Sequence, residues 1–151
     1  MKSLPDQRRL LAFSQFRRQR GEQAVLRVQR QLQPLLAERG GFEEQEAALQ
    51  RLLTSHRAND CVLEHGQLLA LLRTQAVIRR RIDLLRVERG RLEQQCRQVE
   101  QQLQEQHEHL RLLQRKHDKY VRSVQQLLRA QRLEAVRREE RELEETIGVR
   151  R

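Results

Sequence analysis

An all-α fold, an elongated antiparallel two-helix coiled-coil hairpin with a longer second helix, follows from three features of the sequence. The first is a spacing of alternating three and four that runs from Leu68 to Leu127. It visits Leu68, Leu71, Gln75, Ile78, Ile82, Leu85, Arg89, Leu92, Cys96, Val99, Leu103, Gln106, Leu110, Leu113, His117, Tyr120, Val124 and Leu127, and fourteen of these eighteen residues are apolar or aromatic. Such a stripe stays on one face only if the helix supercoils about a partner. The second feature is composition: 34% of residues are charged and 3% aromatic, with no Trp, which is the balance of long solvated helices. The third is a shorter run on the same spacing, Val25, Val28, Leu32, Leu35, Phe42, Leu49 and Leu53. Only the turn-like Ala58-Asn59-Asp60 and the later Gly66 separate the two runs, and so short a connection sets the helices antiparallel.

The first helix is expected over about 5–57, with Ser3 as N-cap and Pro5 in the first turn. Leu4 and Leu11 carry the apolar phase backwards, but Ser14, Arg18 and Gly21 interrupt it. The first stretch is therefore weakly specified and expected to fray or to fold on a partner. Pro34 lacks a backbone donor, and Gly40-Gly41 costs roughly 2 kcal/mol against two alanines, so a bend or local break is expected there. A turn over about 58–63 leads to a second helix over about 64–147, and the whole chain reads as a single coiled-coil domain. If the turn centres near residue 61, partners sum to roughly 122, which sets Leu4 beside Asp118 and leaves residues beyond about Tyr120 without an intramolecular partner. Helix two would then measure roughly 125 Å against about 80 Å for helix one. In this overhang the phase changes to steps of three, Leu127, Ala130, Leu133 and Val136, before Leu143 and Ile147, a stammer that marks a different packing environment. Unpaired helices gain stability from tertiary contact, so the overhang is expected to dock.

Lys and Arg exceed Asp and Glu by 31 to 21, a net charge of +10. The excess is concentrated at the amino-terminal end in Lys2, Arg8, Arg9, Arg17, Arg18, Arg20, Arg27 and Arg30. Such a field favours acidic partners of any kind. No secretory signal or long apolar run is visible, so a cytosolic chain is expected. Cys61 and Cys96 match no metal or disulfide framework and read as reduced thiols.

No catalytic constellation emerges, and no enzyme, metal or cofactor is expected. His107 and His109 point to different helix faces, so they cannot chelate as an i, i+4 pair could. His117 falls on the seam as a packed imidazole, and neither Gly40-Gly41 nor Gly90 belongs to a phosphate loop. Arg79-Arg80-Arg81 fans around the helix, while Leu69, Leu72 and Ala76 beside Leu68 and Leu71 widen the apolar stripe beyond what a two-stranded coil covers. That strip is a candidate binding surface.

The segment Leu71-Leu72-Arg73-Thr74-Gln75-Ala76-Val77-Ile78-Arg79-Arg80-Arg81-Ile82 and the ending Arg115-Lys116, Tyr120, Glu139-Glu140, Glu142, Glu144-Glu145 and Ile147 resemble the SpaM/InvI proteins of bacterial type III secretion, which belong with the YscO and flagellar FliJ stalk proteins. The resemblance implies a non-enzymatic stalk, similar to the shaft of rotary ATPases, in the pore of the hexameric secretion ATPase. It also implies a cytoplasmic position at the inner-membrane base of the injectisome and a part in virulence. It assigns the region towards the hairpin tip to the export gate protein through Leu68, Leu71, Leu72, Gln75 and Arg79. The end carrying both termini, with Leu133, Val136, Arg137, Arg138, Glu139, Glu140 and Glu144, is assigned to the ATPase. Secretion chaperones are a further partner class for the apolar strip. Nucleic acid and direct membrane insertion are not expected.

Two other classes compete. A basic coiled-coil nucleic-acid binder or scaffold would suit the charge, but stacking residues are scarce and the cations do not form one helix face. A membrane-surface helix would need a wider apolar face than this seam presents.

Overall fold

The computed structural model describes residues 3–57 and 62–149. The expected turn residues Ala58-Asn59-Asp60, and the Cys61 thiol, lie outside the described residues. Among the described residues there are two helices and no strand: α1, Leu4–Ser55, of 52 residues, and α2, His65–Val149, of 85 residues. The chain is an all-α helical hairpin with the longer helix second.

Local chemistry explains the helix ends. Ser3 caps α1: its Oγ accepts from the backbone N of Asp6 at 3.4 Å and donates to Asp6 Oδ2 at 2.6 Å. Pro5 occupies the first turn, where its missing donor is harmless. At the start of α2, Glu64 N donates to Gln67 Oε1 at 3.2 Å, the backward-reaching half of a capping box.

α1 is helical without interruption through Pro34 and Gly40-Gly41, so of the bend or local break expected there the break does not occur. Pro34 is exposed, while Leu32 is buried and Leu35 half-buried on its inner side. Burial of the seam on both sides of these residues outweighs their local cost. α1 begins at Leu4 and is helical through the stretch read as weakly specified. The residues read as interruptions belong to the seam: Ser14 and Gly21 are buried, Arg18 is half-buried, and Gln7, one heptad before Ser14, is buried as well.

The helices build two compact units, Met1–Val25 with Glu105–Arg151, and Leu26–Gln104. In the second unit the core is Leu32, Ile78, Ile82, Leu85, Leu92 and Cys96, with Leu85 and Cys96 only 1% exposed. Cross-helix contacts fix its register. Gln75 Nε2 donates to His56 O at 2.7 Å, closing the end of α1. Arg86 Nε donates to Glu46 Oε1 at 2.8 Å, and Arg89 pairs with the other oxygen of the same carboxylate. In the first unit, Val25, Leu113 and Val124 are buried. Ser14 Oγ gives its proton to Leu11 O at 2.9 Å, and therefore accepts from His117 Nδ1 at 3.1 Å. A Cβ built on Gly21 would lie 3.1 Å from Cδ1 of both Leu110 and Leu113, so glycine permits the close approach of the helices.

Ser14 with His117, and His56 with Gln75, each total 131 in residue number, not the roughly 122 expected from a turn centred near residue 61. The first residues of α2, 65–70, are all exposed, and pairing begins only at Leu71. That unpaired start displaces the register. The overhang consequently begins later than Tyr120: Val124 is buried, Leu127 and Leu128 are half-buried, and everything described from Arg129 to Val149 is exposed.

Candidate partner-binding surfaces

The exposed end of the second unit is apolar and basic. Val62, Leu63, Leu68, Leu69, Leu72 and Val77 are exposed, and so are Arg73, Arg79, Arg80 and Arg81. Of the residues assigned to an export-gate patch, Leu68, Leu72 and Arg79 are thus available to a partner. Leu71 and Gln75 are half-buried on the seam, and the Gln75 amide is committed to His56. Val62 and Leu63, just ahead of α2 and not foreseen, are exposed as Leu68 and Leu72 are, and Gln75 takes a part in helix pairing.

The Glu46 carboxylate is held by two guanidiniums of α2, Arg86 and Arg89. The hydrogen bond from Arg86, with the charges of Arg89 and Arg86, holds its carboxyl below the ordinary glutamate range against partial desolvation. Glu46 and Arg89 both occupy seam positions, where such a pair discriminates between registers.

In the first unit, the segment proposed for the ATPase is wholly exposed. Leu133 is 61% and Ile147 62% exposed, with Val136 and Leu143 similar. Arg137, Glu139, Glu140 and Glu144 lie exposed among them, and Arg138 pairs with Glu134 one turn away at 2.9 Å. One helix thus offers apolar anchors within a charged sleeve, a surface that can grip a partner.

A second surface of this unit went unread in the sequence. Phe13, Phe16, Arg17 and Arg20 follow one another at i, i+3, i+4 and i+7, beside the seam and not on it. Phe13 and Phe16 are 59% and 55% exposed. The Arg17 guanidinium lies 5.7 Å from the centre of the Phe13 ring, and that of Arg20 lies 5.8 Å from Phe16, both within cation–π range. Two adjoining grooves share Phe13, Arg17 and Leu113; one continues to Lys116, Lys119 and Tyr120, the other to Phe16 and Arg20. Among the described residues no acidic side chain lines either groove. The signal was present as two of the chain's three Phe residues one turn apart with Arg following each at i+4.

Among the described residues no helix is long and apolar enough to cross a membrane. A family model described as the Salmonella surface presentation of antigen gene type M protein matches residues 5–147. No curated protein and no solved structure matches the chain.

Proposed function

Because the chain belongs to the family of the Salmonella surface presentation of antigen gene type M protein, a family of type III secretion system components, we propose that it is the central stalk of such a system, akin to the YscO and flagellar FliJ proteins. In this reading it couples the hexameric secretion ATPase to the export gate. It does so from the cytoplasmic side of the inner membrane, as a binding protein without an active site.

The observation that carries the proposal is the exposed continuation of α2. From Arg129 to Val149 the helix has no covering partner among the described residues, yet it bears Leu133, Val136, Leu143 and Ile147. Isolated helices are marginal in water, and an apolar stripe on one that persists argues for a binding partner. The ATPase takes this segment; the export gate takes Leu68, Leu72, Arg79 and the adjoining Val62 and Leu63. Secretion chaperones share the latter surface. The sleeve of Arg137, Arg138, Glu139, Glu140 and Glu144 around the anchors suits a ring that must shift around its axle, since exposed ion pairs are individually weak.

The test is co-purification with the secretion ATPase of the same genome, measured by size exclusion with light scattering. Wild type is expected to yield a complex of one chain per ATPase hexamer, and the Leu133→Asp, Val136→Asp double variant none. Absence of a wild-type complex at every salt concentration, including those at which the chain is monomeric, would refute the stalk reading.

A further inference from the structure

The basic aromatic groove and the acidic end of α2 are complementary parts of the same unit that cannot meet within one chain. The groove presents Phe13, Phe16, Arg17, Arg20, Lys116 and Lys119. Among the described residues none of its four cations has an ion-pair partner. The last thirteen residues, 139–151, contain five glutamates against Arg141, Arg150 and Arg151. Glu140, Leu143, Glu144 and Ile147 repeat the i, i+3, i+4, i+7 spacing of Phe13, Phe16, Arg17 and Arg20. One stripe offers two carboxylates with two aliphatic anchors; the other offers two guanidiniums with two exposed rings.

Within one molecule the two are held apart. α2 is unbroken from His65 to Val149, so Leu143 lies about 40 Å along the axis from Lys116. A second copy removes the obstacle. If two α2 overhangs lie antiparallel, each acidic stripe reaches the other's groove, and a two-fold axis roughly midway between Lys119 and Leu143 closes the arrangement as an isologous dimer. Leu133 and Val136 then fall near the axis, where the facing helix covers them.

We infer that the chain self-associates through this face, with Glu140, Leu143, Glu144 and Ile147 of each copy seated on the Phe13, Phe16, Arg17, Arg20, Lys116 and Lys119 groove of the other. The dimer covers the exposed anchors of α2 and withholds them from any other partner. Its formation does not depend on the stalk reading, because it requires only the chain itself.

The experiment is light scattering and sedimentation of the purified full chain, without ATPase, across concentration and salt. Wild type should approach twice the monomer mass of 18.2 kDa at low salt and dissociate as salt rises. A groove variant, Arg17→Glu with Lys119→Glu, and a tail variant, Glu140→Lys with Glu144→Lys, should each remain monomeric and helical by circular dichroism. Mixed together they should recover the dimer, since each reversed tail then meets a reversed groove and each native tail a native one. A wild-type chain that keeps the monomer mass throughout overturns the proposal and leaves the groove to an acidic partner other than this chain. A dimer that either variant retains alone overturns it also.

Discussion

Leu84 and Leu85 are neighbours in sequence with opposite surroundings. Leu85 is buried on the seam and Leu84 is half open to water. Replacing Leu85 by Ala should destabilise the fold by about 2–5 kcal/mol, while Leu84→Ala should cost under about 1 kcal/mol, as read by urea unfolding. Glycines divide in the same way. Gly40 has open space around its Cβ position, so Gly40→Ala should stabilise by about 1 kcal/mol through helix propensity alone. Gly21 faces Leu110 and Leu113 at 3.1 Å, and Gly21→Leu should destabilise by about 1–3 kcal/mol through overpacking. Glu46 gives the pH dependence. Its pKa is lower in the folded chain than in the unfolded one, so the stabilisation it brings is complete above the ordinary glutamate value of about 4.3 and is lost as pH falls through the lowered one. The melting-temperature difference between wild type and Glu46→Gln should therefore shrink towards zero on acidification; a difference that persists or grows would contradict the assignment.

At the scale of the element, each helix is specified by a stripe, and its limits by a few caps. The expected N-cap Ser3 and first-turn Pro5 are found where the chain's start signals put them. Of the bend or break expected at Pro34 and Gly40-Gly41, no break is found, because local propensity is a weak term beside a seam that pairs on both sides of them. The end of α1 depends on α2: His56 O is satisfied by Gln75. Gln75→Ala should cost about 1 kcal/mol of stability and loosen hydrogen-exchange protection around residues 52–57 before that of the core. α2 beyond Leu128 answers to different rules, since nothing described covers it. Leu133→Asp with Val136→Asp should leave unfolding of the monomeric hairpin, measured at high salt, unchanged within error, and any loss of partner binding can then be read as loss of a surface.

For the whole molecule the prediction concerns coupling. If the stalk transmits ring motion to the gate, a disulfide locking it to the ATPase should abolish secretion while leaving assembly intact; normal secretion from the locked complex would refute coupling by relative motion. The inferred dimer separates from this cleanly, because the charge-swapped pair reports on self-association in the absence of any ATPase. A net charge of +10 also makes association with acidic surfaces salt-sensitive, so both measurements need matched ionic strength.

By itself the sequence determined the helices, their order and the inward face of α2: from Leu71 to Leu127 every residue on the three-four spacing is buried or half-buried. Periodicity is a property of a single strand, and it survives whatever the strand packs against. The family was legible too, through the Leu71 to Ile82 segment and the acidic ending. Only the tertiary structure decided the register, the inclusion of Ser14, Arg18 and Gly21 in the seam, and the exposure of Phe13 and Phe16. Each of these depends on pairs. A serine is a sound seam residue only when His117 stands opposite, and a glycine only when Leu110 and Leu113 fill its space. No pattern along one helix contains the identity of the residue across from it.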